Sequence, residues 1–237
     1  MGKERVFRFK QFQVVNDVAA MRVNTDGVLL GAWCDVAGAR RVLDVGTGSG
    51  VIALMVAQRN AVAQIDAIDI DAQAVAVSRE NFAQSPWADR LVAVSADFNA
   101  YIPKIRYDLI VSNPPYFDSG VLPAQSARAV ARHSLSLSLD DLITHSAEML
   151  APGGRLALIA PASRSEDVER IGASAGLHVR RVMRVSAIVG QEPKRVAWEW
   201  TNEPVDEVVS EDLAIEERAM CYTAQYRALC ADFYLKM

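Results

Sequence analysis

The chain has no apolar run of about 18 residues, the length that a bilayer-crossing helix needs, so no membrane span is expected. Its basic opening, MGKERVFRFKQF, is not followed by the apolar stretch of a secretory leader. Cysteine is scarce. Cys34, Cys221 and Cys230 are odd in number, lack metal-ligand spacing and sit in no nucleophile motif. They predict reduced thiols in a cytoplasmic protein and neither a disulfide framework nor a metal centre. Internal repeats and low-complexity tracts are missing too. Excess positive charge is also lacking, since the net charge is −4. That balance hides an uneven distribution. Residues 203–217 hold seven acids and no base, and the remaining chain carries +3. Bases gather at Lys3, Arg5, Arg8 and Lys10, at Arg128 and Arg132, and at Arg180, Arg181, Arg184, Lys194 and Arg195. Each group reads as a footprint for phosphates or as solvated surface, so a nucleic-acid partner stays open.

What is present is an alternation of apolar runs and helical patterns. RRVLDV, QIDAIDI (64–70), RLVAVSAD (90–97), YDLIVSN (107–113), RLALIAP (155–161), HVRRVMRV (178–185) and RVAWEWT (195–201) read as strands. Helices are predicted over 49–59, with Ser49 as N-cap, over 71–84, over 139–154, ended by Pro152 and Gly153, and over about 164–175. Strands that alternate with helices predict a doubly wound, mostly parallel α/β sheet. The last two strands are joined by SAIVGQEPK and predict an antiparallel hairpin at the end of the sheet. The chain then crosses the acidic stretch to a final helix, AMCYTAQYRALCADFYLKM. Three regions follow: an N-terminal segment (1–40), a central domain (41–202), and the acidic stretch with its C-terminal helix (203–237).

LDVGTGSG (43–50) joins the first of these strands to its helix. It lacks the third-glycine spacing of a dinucleotide fingerprint and the Lys of a phosphate-binding loop, so NAD and ATP fit poorly. Gly46, Gly48 and Gly50 allow a sharp turn and close approach of a ligand. Asp44 is an acid where a buried strand normally carries none, and it suits a cationic amine or an ordered water. Asp69 ends the next strand, where a carboxylate can accept both hydroxyls of a ribose. Asp71 is the runner-up and also a natural helix cap. Asp97, followed by Phe98, is placed to receive the amine of an adenine or to cap a turn.

YDLIVSNPPYFDSG (107–120) is the most specific stretch. A strand delivers Asn113, and Pro114 and Pro115 hold the backbone extended while removing two amide donors. The Asn113 side-chain oxygen and the Pro114 carbonyl remain as paired acceptors, and Tyr116 adds a flat face. A planar amine is a poor nucleophile because its lone pair is delocalised into the ring. Two acceptors on its hydrogens localise that pair, and stacking holds the ring. His133, beside Arg132, reads as a phosphate contact or a packing residue. The four tryptophans read as core or edge packing, with RNA stacking open to an exposed one.

The series VLDVGTGSG, AIDID, SADF and SNPPYF resembles the class I S-adenosylmethionine-dependent methyltransferases of the NPPY group. The resemblance implies a Rossmann-like sheet and S-adenosyl-L-methionine as cofactor. It implies that Asp44, Gly46, Gly48, Asp69, Asp97 and Phe98 line the cofactor site, with Asn113 also beside it. It further implies that Asn113, Pro114, Pro115 and Tyr116 are catalytic and hold the target nitrogen. FRFKQFQVVNDVAAMRVNTDGVLLGAW, QSPWADR and YRALCADFYLKM look like the bacterial tRNA(Val) adenine-N6 methyltransferase family. By that resemblance 1–40 includes a lid with Thr25, Asp26 and Gly27 beside the cofactor, and the substrate is the adenine 3′ of the anticodon. The residue types of Thr25, Asp26 and Gly27 equally suit a turn that caps the helix VLLGAW. Release-factor glutamine methyltransferases are the nearest rival, but they resemble this chain less, because they carry a helical domain before the core. A nicotinamide oxidoreductase would need the missing glycine spacing. A cofactor-binding protein without activity would be expected to lack Asn113 or Tyr116.

Overall fold

A computed structural model describes residues 6–15, 23–114 and 137–237. The centre is a nine-stranded sheet of β3 (Arg41–Val45), β4 (Gln64–Asp69), β5 (Leu91–Ser95), β6 (Tyr107–Ser112), β7 (Leu150–Pro161), β8 (His178–Ile188), β9 (Arg195–Thr201), β10 (Val209–Arg218) and β11 (Cys221–Tyr222). Their spatial order is β11-β10-β8-β9-β7-β6-β3-β4-β5. β5, β4, β3, β6 and β7 run parallel, and β9 is antiparallel to both β7 and β8. A separate hairpin is formed by β1 (Val6–Arg8) and β2 (Gln13–Val15).

From β3 the chain steps outward through β4 to β5, then returns to β6 on the other side of β3. This reversal opens a crevice at the carboxyl ends of β3 and β6, the position where doubly wound sheets take their ligands. β3 and β6 are direct neighbours, with Val45 opposite Ser112, and the Ser112 hydroxyl donates to the Val45 carbonyl at 2.9 Å.

Helices cover both faces. α1 (Thr25–Trp33), α2 (Val51–Arg59), α3 (Ala72–Ala83) and α6 (Ala224–Cys230) lie with the hairpin on one side, and α4 (Leu139–Met149) and α5 (Ser165–Ser174) on the other. The period-2 alternation of β3 sends Val42 into the first apolar layer and Leu43 and Val45 into the second. Asp44 shares the face of Val42, directed at the start of α2. Trp198 and Trp200, both fully buried, stack at 5.8 Å in the second layer, and Trp33 is buried in the first. Packing is thus their role.

Several expectations change in the structure. The hairpin of β8 and β9 does not end the sheet, because the acidic stretch supplies β10, which pairs parallel with β8. Glu211 pairs with Arg181 at 3.2 Å, and Asp212 faces Arg184 at 4.0 Å. Arg181 also sits over the Trp33 ring at 4.5 Å. Arg180 pairs with Asp35 and with the fully buried Glu199. Thus Arg180, Arg181 and Arg184 are largely matched by acids and leave no single basic patch with Lys194 and Arg195. The predicted final helix is instead β11 followed by a seven-residue α6, after a turn in which Met220 takes a φ of 65°.

The helix predicted over 139–154 ends at Met149, and Leu150 already pairs with Tyr107 in β7. Gly153, at φ 69°, lies at a break in register between β6 and β7. A Cβ on Gly154 would lie 2.8 Å from the backbone oxygens of Ala151 and Tyr107. The glycines serve a β-bulge and not a helix cap. Ser49 is not the cap of α2 either; Gly50 holds that position without a side-chain bond.

Candidate active site

The glycine loop turns on three left-handed residues: Gly46 at φ 69°, Gly48 at 55° and Gly50 at 81°. At Gly50 a second constraint applies, since a Cβ would come within 2.4 Å of the Phe82 ring. The loop is anchored from the neighbouring strand. Gly46 N and Thr47 N donate to the Ile68 carbonyl, and Gly48 N donates to Asp69 Oδ2 at 2.9 Å. Asp69 also accepts from Asp71 N through Oδ1 at 2.9 Å. Burial raises its pKa above the ordinary carboxylate value.

Asp44 is wholly buried. Its Oδ2 accepts from the Thr47 hydroxyl at 2.7 Å and from Ala53 N at 3.2 Å. Its Oδ1 is buried and has no hydrogen-bond partner among the described residues. Burial pushes its pKa up to about 7, opposed by the bonds from Thr47 and Ala53, and the negative charge of Asp69 adds a smaller upward push. A buried oxygen without a donor is costly unless a ligand or water supplies one.

Along the same edge, Asp97 follows β5 and caps a short 3-10 turn, its Oδ1 accepting from Asn99 N at 3.0 Å. Its side chain is exposed, while Phe98 is buried in the apolar layer of the opposite face. Asp71 caps α3 through Gln73 N, the plain role expected for it. The structure therefore sets Asp97, Asp69, Asp44 with the glycines, and Asn113 at the ends of four adjacent strands.

Asn113 and Pro114 leave β6 in a buried position. The Asn113 amide nitrogen donates to Asn24 Oδ1 at 3.3 Å. Asn24 is the N-cap of α1, and the same oxygen accepts from Gly27 N at 2.7 Å. Gly27 is packed against this pair, within 3.6 Å of Asn113 Nδ2 measured from where a Cβ would stand. Asp26 pairs with Arg195 at 2.8 Å, which ties the first turn of α1 to the start of β9. Thr25 is exposed on that turn. Asn24 and Thr47 were not among the expected site residues. The signal for Asn24 lies in the sequence: an Asn one residue before the helix VLLGAW and its TDG lead is a favoured N-cap. Pro115, Tyr116, Arg128, Arg132 and His133 lie outside the described residues.

Other chemistries find little support here. Burial pushes the Cys34 thiol up to about 11 and the Cys230 thiol up to about 12, far from a thiolate nucleophile. Among the described residues no group of His, Cys, Asp and Glu is arranged to hold a metal, and no helix is long and apolar enough to cross a membrane.

Comparison with known proteins adds a second line. The family model described as methyltransferase small domain matches residues 22–171. The chain is 44% identical over 233 residues to the tRNA1(Val) (adenine(37)-N6)-methyltransferase of Parabacteroides distasonis, covering 98% of each protein. It is 42% identical over 238 residues to the protein of the same name from Aeromonas hydrophila, covering 100% of each. Among solved structures, a predicted O-methyltransferase from Agrobacterium tumefaciens superposes with a TM-score of 0.68 at 18% identity, covering 88% of this chain and 96% of that one. At that identity the likeness is one of fold.

Proposed function

Because the chain belongs to the methyltransferase small domain family and is similar over its whole length to tRNA adenine-N6 methyltransferases, we propose that it transfers a methyl group from S-adenosyl-L-methionine to the N6 amine of adenine 37 in tRNA1(Val). The observation that carries the reading is one juxtaposition. Asn113, at the end of β6, stands beside the β3 glycine loop, and that loop closes over a buried carboxylate with an unsatisfied oxygen. When bound, the cofactor supplies a methyl group on a sulfonium, which needs no further activation.

The residues fit such a ligand. Asp44 Oδ1 is placed to accept from a cationic amine, directly or through a water. Asp69, already bonded to Gly48 N and Asp71 N, retains lone pairs for ribose hydroxyls. Gly46 and Gly48 let the backbone come close. Asp97 is assigned to the adenine end of the ligand, together with the backbone at Phe98, whose ring is committed to the core. Asn113 Oδ1 and the Pro114 carbonyl accept the two hydrogens of the target amine, and Pro115 and Tyr116 complete the grip on the base. Thr25, Asp26 and Gly27 lie on the turn of α1 that borders this site.

The test is methyl transfer to unmodified tRNA1(Val), with a release-factor sample in parallel and nucleoside analysis of the product. N6-methyladenosine that disappears when adenine 37 is replaced by guanine is the expected result. Label in the release factor alone would overturn the substrate. Asn113→Ala is expected to lower transfer by on the order of a hundredfold or more while cofactor affinity stays within about twofold.

A further inference from the structure

The amide of Asn113 can face its surroundings in two ways. One presents an oxygen to the target amine; the other presents an NH2 group, which opposes the amine donor to donor. Nothing in Asn113 itself chooses between them. A partner that bears on the choice stands one element away. Asn24 Oδ1 accepts from Gly27 N at 2.7 Å, which fixes that end of the Asn24 side chain as the acceptor, because the backbone N–H can only donate. The same oxygen then receives Asn113 Nδ2 at 3.3 Å. With the nitrogen drawn to α1, the Asn113 oxygen is turned the other way.

We propose that Asn24 is a positioning residue for the transfer reaction, acting through Asn113 to hold its amide in the acceptor-forward orientation. The inference rests on the reading that Asn113 grips the target amine. It gives the α1 cap a second task beyond starting a helix. The Asp26–Arg195 ion pair supports that task, because it holds the first turn of α1 against β9 and so keeps Asn24 in reach of Asn113. A side chain at position 27 would touch both members of the pair, so glycine there leaves their hydrogen bond unobstructed.

Capping and positioning separate by substitution. Serine caps a helix nearly as well as asparagine, but its hydroxyl lies too close to its own backbone to span the distance to Asn113. Aspartate keeps both the cap and the acceptor. The experiment compares wild type, Asn24→Ser and Asn24→Asp on tRNA1(Val), measuring kcat and KM for tRNA, cofactor affinity by calorimetry, and thermal stability. Asn24→Ser is expected to keep its stability and cofactor affinity while kcat falls on the order of 10- to 100-fold with little change in KM. Asn24→Asp is expected to keep kcat within about threefold of wild type, since its oxygen still draws the Asn113 nitrogen.

A folded Asn24→Ser enzyme with wild-type kcat would overturn the proposal. So would equal losses in Asn24→Ser and Asn24→Asp, because the acceptor would then be irrelevant. If Asn24→Ser fails to fold, Asn24→Gly, which also preserves most of the cap, takes its place with the same expectation. Failure of the underlying reading looks different: wild type itself would leave tRNA1(Val) unmethylated, or Asn113→Ala would retain transfer.

Discussion

Asp44 has one carboxylate oxygen held by Thr47 and Ala53 and one that meets no donor among the described residues. Its pKa is about 7 in the folded chain against an ordinary 3.8. Between those values the folded chain keeps a proton that the unfolded chain has released. The associated stability is therefore complete below about pH 4 and falls as pH rises towards 7, by up to about 4 kcal/mol, and then levels off. Asp44→Asn removes the titration. It is expected to raise the denaturation midpoint of the ligand-free protein at pH 8 and to flatten its pH dependence. Cofactor affinity should move the other way. A cationic amine prefers the ionised carboxylate, so calorimetric affinity is expected to rise from pH 6 to pH 8 in wild type. In Asp44→Asn it should be roughly ten- to a hundredfold weaker and insensitive to pH. Equal affinities at pH 6 and pH 8 in wild type would remove Asp44 from the binding step. The glycines allow a second comparison. Gly50 and Gly38 share a left-handed backbone, but only Gly50 would drive a Cβ into Phe82. Urea denaturation should place Gly50→Ala roughly 2–5 kcal/mol below wild type and Gly38→Ala only about 1–2 kcal/mol below.

At the scale of elements, β10 shows what pattern reading misses. Its sequence, VSEDLAIEER, has too few apolar positions to announce a strand, and its burial is uneven. It forms because β8 offers an open edge and matching arginines. Glu211 is the centre of that match. Its Oε2 accepts from Trp33 Nε1 at 2.6 Å and from Arg181 at 3.2 Å. Glu211→Ala is expected to cost about 1–3 kcal/mol, because it leaves an indole N–H and a partly buried guanidinium without their acceptor. Glu211→Gln, which keeps an acceptor for Trp33, should cost less than half as much. A near-zero effect of Glu211→Ala in urea denaturation would mean that β10 is held by its backbone ladder alone. The inner strands were legible for the opposite reason. β3, β6 and β9 are mostly apolar strands buried on both faces, and β9 begins and ends where its sequence pattern does. The end of α4 was not legible, because a Pro-Gly-Gly run signals a helix stop and a β-bulge with the same residues.

For the molecule as a whole, the same division separates the site from its surroundings. That Asp44, the glycine loop, Asp69 and Asn113 would stand together could be read from the sequence, because each follows or ends a strand in a fold whose strand ends meet. Asn24 could not be read as a partner of Asn113, because 89 residues separate them and only the packing of α1 over the crevice joins them. The cluster at Arg180, Arg181 and Arg184 was hard to read for a related reason: charge along the chain does not reveal which acids fold back upon it. Arg184 lies beside Asp212 and donates to Ser210 at 2.8 Å. Lys194 is exposed, pairs with no carboxylate among the described residues, and adjoins Arg195, whose bond to Asp26 places this edge next to Asn24 and Asn113. A polyanion gripped near the site should therefore feel Lys194 and not Arg184. The slope of log affinity against log salt for tRNA1(Val) should shrink by roughly 0.7–0.9 in Lys194→Gln, the loss of about one phosphate contact. It should be unchanged in Arg184→Gln. The reverse ranking would place the RNA along β8 and β10, on the far side of the sheet from β5, and would require the acidic strand to yield its arginines when substrate binds.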